Sequence, residues 1–323
     1  MRPERELIDL IREIISKDPE ELLELGRDDA SARKLAGGIY VFNTDMVAET
    51  TDLLPGMSLK QFARKCVVSN FSDLAAKGAR PLFFMASAGL SRDMSDDDFL
   101  SLIEGLEEGS REFGAYFVGG DLGESRELMI AGFAVGRIEK RLVKRSGARP
   151  GDVVFTTGWF GLTWLAFQHL LRGMDLPADV RVEAIKAAYE PVARIREGIT
   201  ASAYASSSID SSDGLYWSLE ELSKASGHGF LVERIPLHPA VELLASKGRV
   251  DPVEATFHGG EEYEIVFSVP RDRADILQEE FTKKGLFLIK IGKVVEERGV
   301  FLELNGEIEE VEEGGWEHFK SRG

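Results

Sequence analysis

Cysteine and histidine are scarce in this chain, whose 323 residues include one cysteine, Cys66, and five histidines. A single thiol excludes an internal disulfide and a cysteine-based metal site. The histidines show no metal-binding spacing, and no Ser-His-Asp arrangement is evident. We therefore expect Cys66 to be a buried structural thiol, and the sequence offers no candidate protein nucleophile.

Long hydrophobic runs are absent as well. No segment reaches the roughly 18 uninterrupted apolar residues of a membrane span. The opening residues Met1–Glu6 mix acids with bases and have no continuous apolar stretch behind them, unlike a signal peptide. We expect a cytoplasmic protein without a membrane partner.

Basic residues are outnumbered, with 39 Lys and Arg against 56 Asp and Glu and a formal net charge of −17. Such a charge argues against nucleic acid as the main partner. With 43% hydrophobic and 29% charged residues the composition is globular, and a chain of 323 residues favours two domains. A charged stretch that closes with Gly147–Gly151 suggests a boundary near Ile138, which gives domains of residues 1–137 and 138–323.

A phosphate-binding P-loop is also missing, because Gly147–Gly151 lacks the Lys-Ser/Thr ending that grips phosphates. The chain has instead small packets of aspartate, several of them at the ends of predicted strands: Asp28-Asp29, Thr44-Asp45, Ser72-Asp73, Gly119-Gly120-Asp121 and Asp210-Ser211-Ser212-Asp213. Carboxylates suit Mg²⁺, which commonly bridges a protein to substrate phosphates. The packets therefore predict a nucleotide enzyme that depends on Mg²⁺.

Each packet also has an ordinary structural interpretation. Asp28-Asp29 could form a turn, Gly119–Asp121 a tight turn, and Asp213 a helix N-cap, while Arg145 could lie on the surface. Asp73 could lie on an exposed helix face, but its apolar neighbours favour burial, and a buried carboxylate needs a partner or a metal. Capping and metal binding by Asp213 both remain open.

The hydrophobic pattern predicts mixed α and β structure in both halves, an α+β (mixed α/β) fold class. Helices are predicted at 4–15, 58–78, 96–113, 162–171, 184–203 and after 213. Strands are predicted at 37–44, 81–90, 116–118, 127–135, 152–157, into 209, near 230 and at 263–269. Asp45 and Asp121 are expected at the ends of their strands.

In chain order, these packets resemble the motifs of thiamine-monophosphate kinases, which share an ATP-binding superfamily with aminoimidazole ribonucleotide synthetase. Residues 27–30 resemble that family's Gly-Asp-Asp-Ala, and 43–49 its Thr-Thr-Asp-Met-Leu-Val-Glu. Residues 70–79 resemble Asn-Leu-Ser-Asp-Leu-Ala-Ala-Met-Gly-Ala, with Lys77 in place of the Met. Further similar segments lie at 119–121, 145–152, 209–215 and 259–264. The resemblance spans nearly the whole chain.

The resemblance implies ATP as co-substrate and several Mg²⁺ ions, and it leaves a need for K⁺ open. The implied metal ligands are Asp29, Thr44, Asp45, Asp73, Asp121, Asp210 and Asp213. The implied ATP contacts are Gly120, Asp121, Arg145 and Ser212. The implied substrate contacts are Asp52, Glu262 and Trp316, the last within a tail, Gly315–Phe319, that is similar to the family's end.

Three positions depart from the family pattern. Asp52 stands where the bacterial pattern has His, and a carboxylate cannot donate to a phosphate, so Asp52 needs a metal bridge or a different substrate pose. Leu122-Gly123 replaces Thr-Thr, and Gly161-Leu162-Thr163 replaces Gly-Asp-Ser. The metal and ATP contacts tolerate these changes better than the substrate specificity does.

By resemblance, the fold has an N-terminal domain whose sheet pairs across a homodimer and a C-terminal α/β domain. The implied reaction is in-line transfer of the ATP γ-phosphoryl group to thiamine monophosphate, which gives thiamine diphosphate. Two alternatives stay open. One is another ATP-dependent enzyme of the superfamily, such as an aminoimidazole ribonucleotide synthetase-like ligase. The other is a dimer that senses nucleotides without turnover.

Overall fold

The structure is a computed structural model that describes residues 2–316 and residue 319. It confirms mixed α and β structure built on two separate sheets. Residues 4–138 form four helices and the five strands of the first sheet. In chain order these are α1 (Glu4–Ile14), β1 (Ser31–Leu35), β2 (Gly38–Ala48), α2 (Glu49–Asp52), α3 (Leu59–Ala76), β3 (Ala79–Leu90), α4 (Asp96–Glu112), β4 (Tyr116–Glu124) and β5 (Met129–Ile138).

The first sheet has the strand order β1-β2-β5-β3-β4, and only the β3–β4 pair is parallel. Helix α3 packs on one face, where the rings of Phe71 and Phe84 meet edge to face with centroids 5.8 Å apart. Cys66 of α3 is buried there, as predicted. This helix also carries Asp73, one of the predicted metal ligands, so the packing of α3 on the sheet fixes the position of Asp73.

The opposite face of the first sheet is apolar and exposed. Phe133 of β5 pairs in register with Thr44 of β2 and Met85 of β3, so these side chains share that face. We call this the outer face, and its exposed apolar side chains are Met46, Met85, Tyr116, Val118 and Phe133. Exposed apolar patches are a common feature of surfaces that bind other molecules.

Helix α3 begins as its sequence predicts. The Ser58 hydroxyl accepts the backbone N–H of Gln61 at 3.2 Å, and the Gln61 side chain accepts the Ser58 N–H at 3.1 Å. This reciprocal capping box satisfies two N–H groups that the first turn would otherwise leave unpaired. The helix ends at Ala76, with Lys77 as its C-cap residue.

The second sheet takes its strands from the rest of the chain, in the order β12-β11-β8-β10-β6-β9-β7. Its elements are β6 (Val153–Thr156), α5 (Leu162–Arg172), α6 (Ala178–Tyr189), α7 (Ile195–Ala201), β7 (Ser207–Ser211), α8 (Leu215–Ser226), β8 (Gly229–Val232), α9 (Pro239–Ser246), α10 (Pro252–Phe257), β9 (Glu264–Val269), α11 (Arg271–Lys283), β10 (Ile289–Val295), β11 (Val300–Leu304) and β12 (Glu307–Glu310). Strand β7 pairs with β9 at one edge of this sheet. This pairing brings together the acidic segments 209–215 and 259–264, which overlap these strands.

Three local predictions are wrong. The single helix predicted at 184–203 is two helices, α6 and α7, separated around Pro191, whose ring cannot continue a helix. Asp45 lies within β2, not at its end, because the strand continues to Ala48. Strand β4 runs through Gly119–Asp121 to Glu124, so these residues form no tight turn.

The described part of the chain contains no helix that is both long and apolar enough to cross a membrane.

Candidate active site

Three of the predicted metal ligands, Asp29, Asp73 and Asp210, meet between the two sheets. Asp29 lies just before β1, Asp73 in the last turn of α3, and Asp210 within β7. One carboxylate oxygen from each lies within 4.8 Å of the others. We call these residues the aspartate trio.

Neighbouring polar side chains orient the trio. The Ser72 hydroxyl donates to Asp210 Oδ2 at 2.7 Å, and the Asn43 amide donates to Asp73 Oδ2. Both donors are buried. Two of the three carboxylates are therefore fixed in direction before any ligand arrives.

Asp29 differs from the other two because it faces two cations. The Arg145 guanidinium donates to Asp29 Oδ1, with Nε at 2.7 Å, and Lys77 Nζ lies 2.7 Å from Asp29 Oδ2. Burial alone would raise the pKa of Asp29, but the charges of Arg145 and Lys77 outweigh it and hold that pKa below its usual value. Asp29 is therefore a carboxylate at neutral pH.

Asp73 and Asp210 carry raised pKa values. Burial, together with the charges of Asp210 and Asp29, raises the pKa of Asp73 well above its usual value. Burial, reinforced by Asp29, raises the pKa of Asp210 to about 7. Buried carboxylates this close together repel each other, so a cation is needed for all of them to be ionised at the same time.

The donor set fits Mg²⁺. An octahedral Mg²⁺ places its oxygen ligands about 3–4 Å apart, close to the spacing of the trio. The trio offers only carboxylate oxygens, the ligand type that Mg²⁺ prefers. A divalent ion would also remove the repulsion between Asp73 and Asp210.

The raised pKa values predict how stability depends on pH without metal. A carboxyl group whose pKa is about 7 when folded and 3.8 otherwise binds its proton more tightly in the folded state. The free energy of unfolding in EDTA should therefore fall as the pH rises through this interval. Since Mg²⁺ stabilises the charged carboxylates, it should raise the melting temperature by more at pH 8 than at pH 5. Thermal melts in EDTA and in Mg²⁺ measure this, and equal gains at both pH values would contradict it.

The other predicted metal ligands lie outside the trio. The Asp45 backbone N–H donates to Asn70 Oδ1 at 3.1 Å, which places Asp45 beside α3, and its charge contributes to the raised pKa of Asp73. The Thr44 hydroxyl donates to the Gly132 carbonyl at 2.8 Å. Asp121 is exposed on β4 at the sheet edge. Asp45 and Asp121 are therefore separated by the strands β5 and β3.

Asp213 does not cap the helix that follows it. The N-cap of α8 is Gly214 and no side chain caps it, so the capping interpretation is wrong. Asp213 Oδ2 instead accepts a hydrogen bond from the Arg5 guanidinium at 3.0 Å. The Arg5 guanidinium also lies 3.6 Å from the centroid of the Trp217 ring. Helix α1 thereby reaches the acidic loop after β7.

A cleft of about 700 Å³ opens beside the trio, between α1 and α8. It is lined by Arg145 and Ser212, two of the predicted ATP contacts, and by Asp210 and Asp213. Its volume is within the range of small-molecule sites. Gly120 and Asp121, the other two predicted ATP contacts, lie apart on β4. A Cβ on Gly120 would come 1.7 Å from the Ala86 carbonyl oxygen, so only glycine fits there.

Comparison with known proteins identifies the family. Residues 27–138 match the family model described as AIR synthase related protein, N-terminal domain. The chain is 36% identical over 293 residues to the thiamine-monophosphate kinase of Pyrococcus abyssi, covering 90% of this chain and 89% of that protein. The chain belongs to the thiamine-monophosphate kinase family. The enzyme of that name from Archaeoglobus fulgidus is 32% identical over 98% of both chains.

The fold agrees with the thiamine-monophosphate kinase family. A solved structure described as AaThiL complexed with AMPPCP and TMP superposes with a TM-score of 0.86 at 28% identity, over 99% of each chain. Agreement over the full length means that the fold of both sheets is shared, and not that of residues 27–138 alone.

The residues that family resemblance predicts as substrate contacts lie around the acidic loops. Glu262 Oε1 accepts the Gly161 N–H at 2.6 Å, at the start of α5, and burial raises the pKa of Glu262 to about 7. Asp52 Oδ2 accepts the Ala48 N–H at 2.9 Å, which closes α2. The Trp316 backbone N–H donates to the Asp213 carbonyl at 3.2 Å, so Trp316 is held at the loop after β7. Glu317 and His318 lie outside the described residues.

Several residues of the site were not predicted, although Ser72 and Asn43 belong to motifs shared with the thiamine-monophosphate kinase family. Lys65 is fully buried and lies 2.5 Å from Glu261, beside Asp52. Arg5 reaches Asp213 from α1, and nothing in its amphipathic pattern indicates a site residue. In the sequence, Lys65 and Lys77 lie among the apolar residues of the helix predicted at 58–78. That position is the one sign that both charges are buried and need acidic partners.

Proposed function

We propose that this protein transfers the γ-phosphoryl group of ATP to the phosphate of thiamine monophosphate, giving thiamine diphosphate and ADP in the cytoplasm. The observation that carries the proposal is the full-length agreement with a structure described as complexed with AMPPCP and TMP, at a TM-score of 0.86. The aspartate trio beside a cleft of nucleotide size supports the same reaction.

The trio would hold Mg²⁺, with Asp45, Thr44, Asp121 and Asp213 as the further proposed ligands. When bound, Mg²⁺ would neutralise charge on the phosphates of ATP and on the transferred group. Ser72 and Asn43 keep Asp210 and Asp73 directed toward each other, which reduces the reorganisation that binding requires. K⁺ would be an additional cation, for which we assign no ligands.

The acceptor needs no activating base. Its attacking atom is an anionic phosphate oxygen, so positioning and charge neutralisation carry the catalysis. Arg145 and Ser212 line the cleft and would contact ATP, together with Gly120 and Asp121. Asp52, Glu262 and Trp316 are the proposed substrate contacts.

We also propose that residues 1–137 form the ATP- and Mg²⁺-binding and dimerisation domain and that residues 138–323 form the second domain. The first sheet ends at Ile138, and the second begins at Val153, which supports this division. The outer face supports a homodimer, because it leaves several large apolar side chains exposed in one copy.

A competition assay tests the acceptor. Purified protein with ATP and Mg²⁺ is given thiamine monophosphate, free thiamine and the precursor of aminoimidazole ribonucleotide together, and products are identified by mass. We expect thiamine diphosphate alone, which would show that Asp52 is compatible with this substrate. ADP accompanied only by the product of another acceptor would move the function elsewhere in the superfamily. No ADP from the mixture would favour the dimer that senses nucleotides without turnover.

A further inference from the structure

Lys77 is a fully buried lysine at the centre of the acidic site. Its Nζ atom pairs with Asp28 Oδ1, lies 2.7 Å from Asp29 Oδ2, and donates to the Ser208 carbonyl at 3.1 Å. The side chains of Lys77 and Asp29 are 0% exposed, and that of Asp28 is 4% exposed. This ammonium group is therefore closed off from bulk solvent and faces protein oxygens.

The contacts of Lys77 join the three segments that supply the trio. Lys77 is the C-cap of α3, four residues after Asp73, and its N–H donates to the Asp73 carbonyl at 3.2 Å. Asp28 and Asp29 belong to the loop before β1, and Ser208 lies two residues before Asp210 in β7. One ammonium group therefore holds these segments together.

The coordination of Lys77 Nζ is like that of a metal ion. It faces two carboxylates and a backbone carbonyl, which are oxygen ligands that hard cations also use. The similar motif of the thiamine-monophosphate kinase family has Met at this position. Met brings no charge, so Asp28 would then lose its ion pair and Asp29 would keep Arg145 alone, which favours a cation from solution at this place.

We propose that Lys77 is a positioning residue that takes the place of one bound cation. By neutralising Asp28 and Asp29, it keeps Asp29 charged and directed toward Asp73 and Asp210. A carboxylate has about four lone-pair sites, so Asp29 can face Lys77 and still offer an oxygen to an ion in the trio. This inference rests on the proposed function only in requiring that the trio binds a divalent ion.

The test counts Mn²⁺ ions bound without nucleotide, by electron paramagnetic resonance of the free ion during titration. Mn²⁺ accepts the same oxygen ligands as Mg²⁺. Lys77→Met should bind about one more Mn²⁺ per chain than the wild type, because it removes the ion pair of Asp28 and leaves Asp29 paired with Arg145 alone. The matched control is Lys60→Met, since Lys60 pairs with Glu104 and Glu108 on the surface. It should bind as many ions as the wild type.

The double variant D28N/K77M separates this role from a structural one. It removes one carboxylate together with the lysine, so it should bind as many Mn²⁺ ions as the wild type, and an extra ion there would overturn the assignment. If K77M does not fold, NH₄⁺ should restore its folding more than tetramethylammonium does, because only the smaller ion fits the place of the lysine ammonium, and equal effects would overturn the assignment. Equal Mn²⁺ counts in wild type and folded K77M would also overturn it. A wild type that binds no Mn²⁺ would instead contradict the proposed metal site.

Discussion

Asp210→Asn should lower the turnover of thiamine monophosphate by about a thousandfold or more, because the amide cannot supply the negative charge that the trio needs to hold Mg²⁺. Asp210 belongs to the trio and is a buried residue of β7. The Ser72 hydroxyl can still donate to the remaining oxygen, so the local structure should persist. Steady-state rates at saturating ATP and Mg²⁺ measure the loss.

The same variant should be more stable than the wild type when metal is absent. Burial raises the pKa of Asp210 to about 7, so at pH 8 the wild type carries a charge that folding disfavours. Removing that charge should add up to about 4 kcal/mol to the free energy of unfolding in EDTA at pH 8, and little at pH 4, where the carboxyl is protonated. The exposed Asp97→Asn in α4 is the control and should change neither property. A variant with normal turnover would refute the role of the trio.

Phe133→Glu should convert the proposed dimer into a monomer. Phe133 lies at the middle of the outer face, between Thr44 and Met85. Burying a Phe side chain contributes about 2 kcal/mol, and a buried unpaired carboxylate costs several more. The change occurs in both copies, so the dissociation constant should rise by about a thousandfold or more. Sedimentation velocity at micromolar protein gives the oligomeric state.

The activity of Phe133→Glu should fall together with the dimer, because Gly120 and Asp121 lie in the sheet that a partner would cover. The matched control is Leu171→Glu, which places the same charge at another exposed apolar residue, on α5. It should remain a dimer with normal turnover. A wild type that is already monomeric, or a Phe133→Glu variant that stays dimeric, would contradict the assignment of the outer face.

The local elements of the fold followed from sequence where capping and periodicity agree. Helix α3 begins at Leu59 because Ser58 and Gln61 form a capping box, and both residues are visible in the sequence. The strand predicted at 116–118 is shorter than the observed β4, because Gly119 and Gly120 are typical of a turn. Gly120 serves instead to let β4 approach β3 closely at Ala86, and that requirement arises only when the two strands pair.

The grouping of the aspartate trio could not be predicted from the sequence. Asp29, Asp73 and Asp210 were each predicted as metal ligands, yet no spacing could show that they are nearer to each other than to Asp45 or Asp121. Arg145 was ambiguous because a basic residue in a charged stretch is usually exposed, whereas it pairs with Asp29. Long-range ion pairs depend on tertiary packing, and a single sequence does not record them.

Isotope labelling can follow the phosphoryl group from ATP to its acceptor. ATP labelled with ¹⁸O on its γ-phosphoryl group is incubated with the protein, Mg²⁺ and thiamine monophosphate, and thiamine diphosphate is fragmented in a mass spectrometer. We expect the label in the terminal phosphate of thiamine diphosphate, and no labelled thiamine diphosphate from Asp210→Asn or in EDTA. Label released only as inorganic phosphate, or thiamine diphosphate formed equally well in EDTA, would contradict metal-dependent transfer at the aspartate trio.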